Sequence, residues 1–139
     1  MNLERITREE MFKEIALTVS RRSSCLKKQV GALLIDDNRI IAIGYNGVLP
    51  HQHPRTGYDP TTHETHTVHA EANIIAYCAK KGIATERCTL WVTLSPCEKC
   101  AELIIQAGIS KVVYLEEYRD FTGIMKLHDN NVIVERYAI

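Results

Sequence analysis

Apolar and polar positions along this chain follow two rhythms, and the switches between them mark nine elements. Met11, Phe12, Ile15, Ala16 and Val19 recur at helical spacing behind Thr7-Arg8-Glu9-Glu10, which has the form of a capping box. An amphipathic helix is predicted over about 8–21. Residues 30–36 form a short β-rich run, Asp37-Asn38 makes a turn, and residues 39–45 return as the second arm of a hairpin. A segment rich in Gly, Pro, His and Thr then runs from Asn46 to about Thr67, longer than an ordinary connection and of the kind that carries function.

A second helix begins near Val68 and ends at Lys80-Lys81-Gly82, with cations in its last turn and a terminating glycine. The run from Thr89 to Leu94 is apolar enough for a strand buried on both faces. Ser95-Pro96-Cys97-Glu98 has the form of a second capping box, with proline at the first helical position, and the helix behind it stops at Gly108. A strand from Lys111 to Leu115, a short helix over 121–129 and a strand from Asn131 to Arg136 complete the chain. The order αββαβαβαβ predicts one α/β domain over residues 1–139, a three-layer αβα sandwich around a five-stranded mixed sheet.

Composition narrows the function. Hydrophobic residues at 45% and charged residues at 24% describe a globular chain. No apolar run approaches the ~18 residues of a membrane span. Met1 to Arg5 lacks the apolar stretch of a signal peptide, so a cytoplasmic protein is expected. Seventeen basic residues balance seventeen acidic ones, which argues against a general nucleic-acid binder. A small phosphorylated substrate, needing only a few local cations, fits that balance. Five cysteines in a chain without secretory marks favour metal ligation and buried thiols over disulfides. Cys25, Cys78 and Cys88 are read as small buried hydrophobes, and His128 as a surface residue.

Two motifs carry chemistry: His69-Ala70-Glu71 and Pro96-Cys97-Glu98-Lys99-Cys100. One imidazole and two thiolates leave the fourth corner of a tetrahedral zinc site open to water, the mark of a catalytic metal. Both motifs fall at helix starts, where positive dipole ends help hold Cys97 and Cys100 as thiolates. His69 and Glu71 are separated by about 200° on a helix body, so they can serve one site only at the entry turn. A CxxC alone also suits a redox site or a zinc ribbon. A ribbon needs a fourth protein ligand, and a non-catalytic zinc module has no need of Glu71.

H-x-E followed by P-C-x-x-C is a signature of zinc nucleobase deaminases. The chain resembles the cytidine deaminase superfamily and, within it, the deoxycytidylate (dCMP) deaminases. The residues from Cys25 to Ala32, Gly44-Tyr45-Asn46-Gly47, His69-Ala70-Glu71 and the residues from Thr93 to Ala101 stand in that family's order. The Gly-Tyr-Asn-Gly turn is what points to dCMP. The resemblance implies zinc-dependent hydrolysis of dCMP to dUMP and ammonia, supplying dUMP for thymidylate synthesis. It implies zinc on His69, Cys97 and Cys100, with Glu71 as proton shuttle. It places Asn46 at the sugar hydroxyl, Val30 against the pyrimidine, and the Ala70 amide and Ser95 carbonyl at the base edge. It further implies a homo-oligomer, a hexamer, activated by dCTP and inhibited by dTTP, with Mg2+ accompanying the nucleotide effector.

Viral-type relatives often carry cysteines after the Gly-Tyr-Asn-Gly turn that contribute to a second zinc. Here that stretch holds His51, His53, His63 and His66, read either as a second metal or effector site or as a solvated loop. Tyr118, Arg119 and Lys27 are read either as phosphate contacts or as surface residues, as are Arg21 and Arg22. Asn46 follows a strand in an exposed-looking turn, so its replacement is expected to alter substrate binding and leave stability nearly unchanged. The alternatives are a cytidine or deoxycytidine nucleoside deaminase, without a phosphate site, and a tRNA or single-strand deaminase, against which the zero net charge and 6% aromatics argue. An inert zinc-stabilised interaction protein is the remaining alternative, and Glu71 argues against it.

Overall fold

The computed structural model describes residues 4–25, 28–48 and 67–138. Helix α1 (Arg8–Ser20) opens on Thr7, whose hydroxyl accepts the Glu10 amide at 3.0 Å, the forward half of the predicted box. The carboxylate of Glu10 goes elsewhere, to Lys13 at 2.7 Å and the Tyr137 hydroxyl at 2.9 Å. Strands β1 (Gly31–Asp36) and β2 (Arg39–Tyr45) pair antiparallel around Asp37 and Asn38. Both turn residues take positive φ, 50° and 63°, which matches the turn's twist to that of the strands. Then follow α2 (Ala70–Lys81), β3 (Thr89–Leu94), α3 (Glu98–Gln106), β4 (Lys111–Glu116), α4 (Thr122–Asp129) and β5 (Ile133–Arg136).

The sheet order is β2-β1-β3-β4-β5. β1 is antiparallel to both β2 and β3, whereas β3, β4 and β5 run parallel, joined through α3 and α4. The sheet is mixed, as expected. Helix α1 covers one face, with Phe12, Ala16 and Val19 against Leu33, Ile35, Trp91 and Val113. The other face carries the remaining helices, with Ile74, Cys78, Ile104 and Leu127 against Leu34, Leu90, Val92 and Val112. Successive β3 residues face opposite layers, Trp91 to one and Leu90 and Val92 to the other. A strand buried on both faces must be apolar throughout, which explains its unbroken hydrophobic run. Cys25, Cys78 and Cys88 are buried free thiols, as read from the sequence. Among the described residues no helix is long and apolar enough to cross a membrane.

The predicted cap of α3 is corrected by two residues. Cys97, not Ser95, is the N-cap, its sulfur accepting the Cys100 amide at 3.5 Å, so Pro96 precedes the helix rather than opening it. The Ser95 hydroxyl accepts the Tyr118 amide instead, at 2.7 Å. That partner comes from a remote segment, and local spacing could not reveal it.

Parallel β3 and β4 end together, delivering Ser95 and Glu116 to the same rim, where the Ser95 amide donates to the Glu116 carbonyl at 2.9 Å. The start of α2 reaches that rim because β2 lets it approach closely. A Cβ on Gly44 would stand 2.6 Å from Ile74 and 2.9 Å from the Ala70 carbonyl oxygen, so only glycine lets these backbones meet. Asn73 locks the contact by donating to the Tyr45 carbonyl at 2.7 Å.

Candidate active site

The starts of α2 and α3 lie side by side at the carboxyl ends of β3 and β4, where open α/β sheets gather their sites. His69 is the N-cap of α2 and makes no side-chain capping bond there. Its Nδ1 instead lies 3.3 Å from the Cys100 sulfur and 3.6 Å from the Cys97 sulfur. Glu71 sits in the first turn, where the chain is still leaving its extended entry, so both residues face one place. That answers the 200° objection raised by a helix body.

His69, Cys97 and Cys100 bring their donor atoms within 4.8 Å of one another. Zinc–sulfur and zinc–nitrogen bonds of ~2.3 and ~2.05 Å at tetrahedral angles place nitrogen and sulfur about 3.6 Å apart, close to the observed spacing. The protonation chemistry fits as well. The Cys97 thiol is pushed down to about 4, chiefly by the hydrogen bond from Cys100 and then by His69. Cys100 is pushed strongly upward, because it keeps the proton that Cys97 accepts and lies buried near Glu71. A divalent cation bound between the two sulfurs would allow both to be thiolates.

Glu71 is buried, with 4% of its surface exposed. Burial raises its carboxyl from an ordinary 4.5 to about 7, and the Cys97 charge adds to the rise. Its own backbone N–H and His69 pull the other way. A carboxyl poised near neutrality can both accept and return a proton.

A cavity of about 430 Å3 opens over these groups. Val30, Asn46, Ala70 and Ser95 all line it, together with His69, Glu71 and Cys97. Tyr118 lines it too, whereas Arg119 is exposed and lies outside it. Lys27, His51, His53, His63 and His66 lie outside the described residues. Two cations that the sequence reading passed over, Lys28 and Lys99, reach the cavity. The period of extended chain could have found the first, since Lys28 stands two residues from Val30 and Lys27 three. Lys28 also pairs with both Glu116 carboxylate oxygens at 3.0 Å.

Asn46 departs from its expected setting: it is buried, not exposed. Its Oδ1 accepts the Val30 amide and its Nδ2 donates to the Lys28 carbonyl, each at 2.8 Å. Both ends of the amide are therefore engaged by the backbone that carries Val30 into the cavity.

Comparison with known proteins identifies the family. A model of the MafB19-like deaminases matches residues 6–139. The chain belongs to that family. It is 38% identical over 141 residues to ComE operon protein 2 of Bacillus subtilis, covering 99% of this chain and 75% of that protein. It is 40% identical over 126 residues to a probable deoxycytidylate deaminase of Drosophila melanogaster, covering 81% of this chain and 61% of the fly protein. The crystal structure of the cyanophage S-TIM5 dCMP deaminase, in complex with dCMP and dUMP, superposes with a TM-score of 0.84 at 31% identity, covering 97% of this chain and 100% of that one. The family resemblance and the mixed sheet expected from the sequence are both borne out, and the chain is a deaminase of the cytidine deaminase superfamily.

Proposed function

We propose that this deaminase hydrolyses dCMP to dUMP and ammonia, with zinc held by His69, Cys97 and Cys100 and with Glu71 carrying the protons. The observation that carries the reading is a buried carboxyl beside a His/Cys/Cys donor set, with Glu71, His69 and Cys97 lining one cavity. The likeness to a phage enzyme whose structure holds dCMP and dUMP supports the substrate. Bound zinc would supply Lewis acidity that makes water a nucleophile at neutral pH.

The residues of the chain account for the remaining work. As water adds to C4 of the cytosine ring, Glu71 accepts its proton and passes it to N3. Glu71 then relays the second proton to the exocyclic amine, which leaves as ammonia while the oxygen stays on C4. Burial raises the Glu71 carboxyl above the ordinary carboxylate range, which favours its taking up a proton and handing it on. Val30 would offer the ring an apolar face, and the Ala70 amide and Ser95 carbonyl would read its edge, as three residues that line the cavity. Tyr118 and Lys28 stand at the rim, where a phosphate needs a hydroxyl or a cation. Asn46 serves the sugar through the segment it braces.

The resemblance extends this reading to a hexamer activated by dCTP and inhibited by dTTP with Mg2+. Sedimentation and initial rates with each nucleotide test that extension. The substrate itself is tested by ammonia release from dCMP, dCTP, deoxycytidine and a short oligonucleotide, measured side by side. Turnover of dCMP far above the others is expected. Preference for deoxycytidine would make this a nucleoside deaminase, and preference for the oligonucleotide a nucleic-acid deaminase.

A further inference from the structure

Helix α4 rests against the back of the Pro96–Cys97 turn, and one residue lets it do so. A Cβ on Gly123, in the first turn of α4, would stand 2.8 Å from the Cys97 carbonyl carbon and 2.9 Å from its oxygen. It would come closer still to the Pro96 carbonyl oxygen. All three are backbone atoms, so no side chain can swing aside to make room. Pro96 is fully buried and has nowhere to retreat.

The same turn is tied to this region from three sides. The Ser95 amide donates to Glu116 at 2.9 Å, the Tyr118 amide donates to the Ser95 hydroxyl at 2.7 Å, and Lys126 of α4 reaches Glu98 at 3.0 Å. Cys97 itself is an extended N-cap, φ −72° and ψ 171°, ahead of the helix it opens. The position of its sulfur is therefore set by the peptides on either side of it, and Gly123 lies against both, at the Pro96 carbonyl oxygen and the Cys97 carbonyl group.

We infer that Gly123 is a positioning residue for Cys97: its bare Cα seats α4 on the Pro96–Cys97 peptide and so fixes where the Cys97 sulfur meets the metal. This rests on the zinc reading proposed above. Metal sites tolerate ligand displacements of only about 0.2 Å, and loss of outer support typically weakens binding ~10–100-fold. Only glycine at position 123 leaves the sulfur where His69 and Cys100 need it.

Zinc affinity by chelator competition and the Co2+ thiolate absorption band test this in wild type, Gly123→Ala, Ser95→Ala and Gly82→Ala. Melting of each metal-free protein is followed in parallel. Gly123→Ala should bind zinc about 10–100-fold more weakly, with a shifted Co2+ band, while its metal-free form still melts cooperatively. Gly82 has φ +69° and nothing within 4 Å of where a Cβ would stand, so Gly82→Ala should lower the melting temperature and leave zinc affinity unchanged. Wild-type affinity and an unshifted band in Gly123→Ala would overturn the inference. Should that variant fail to fold without metal, Ser95→Ala carries the test, because it loosens the same turn without adding an atom. A several-fold fall in its affinity supports the inference, and wild-type affinity overturns it. A wild-type protein that binds no zinc, or whose zinc survives Cys100→Ala, would refute the metal reading itself before any Gly123 variant is compared.

Discussion

Helices α1 and α2 both open on extended residues, at φ −70° and −67°, yet their caps do opposite things. Thr7 turns its hydroxyl back onto the Glu10 amide and serves its own helix. His69 makes no capping bond and turns its ring toward two sulfurs from another helix. A side-chain N-cap is typically worth ~1 kcal/mol, so α2 forgoes local stability at the place where chemistry is needed. The start of α3 lies between these cases: the Cys97 sulfur caps the helix and is also a candidate metal ligand. Helix starts in this fold are thus either braces or instruments, and the cap residue decides which.

The sharpest way to break the contrast is to convert one kind of start into the other. His69→Asn gives α2 a favoured cap while removing the imidazole. The variant should lose the zinc and all measurable turnover, yet its metal-free form should gain about 1 kcal/mol in urea unfolding. Retained zinc and activity would show that His69 is only a surface residue.

Titration of the metal-free protein separates the starts next. The fold favours protonated Glu71, because burial raises its pKa from 4.5 to about 7. Its stabilising contribution is complete below pH 4.5 and is lost as pH rises through about 7. Metal-free wild type should therefore lose on the order of 3 kcal/mol relative to Glu71→Gln between pH 4.5 and 8. Parallel stability curves for the two proteins would contradict the burial argument.

Asn46→Ala should cost about 1–3 kcal/mol, since it leaves the Val30 amide and Lys28 carbonyl without their partner, and should also raise KM. A raised KM at unchanged stability would restore the exposed setting expected from the sequence. The smallest effect belongs to α1. Thr7→Ala should cost about 1 kcal/mol in thermal unfolding and leave zinc content and turnover untouched.

The element order, the hairpin turn and the paired helix starts were legible in the sequence because each rests on neighbours along the chain. Glycine, capping residues and hydrophobic period are local signals. The errors share one cause, which is a partner far away in sequence. Ser95 has the form of a cap, but its hydroxyl is claimed by Tyr118, 23 residues on. Asn46 looks like a turn residue, but the backbone it braces lies 16 and 18 residues earlier. The donor set was readable because His69, Cys97 and Cys100 announce themselves by type and spacing. The rim was not, since a lysine such as Lys99 carries no signal that it faces a cavity rather than solvent.

In the proposed reaction the two instrument starts form one site, in which Glu71 moves protons and does not hold the metal. Ammonia release from dCMP by zinc-loaded Glu71→Gln, with zinc per chain measured on the same sample, tests it most directly. Wild-type zinc content with turnover reduced about 10²–10⁴-fold is the predicted result. Near-normal turnover at full zinc, or a loss of turnover that tracks lost zinc, would contradict it.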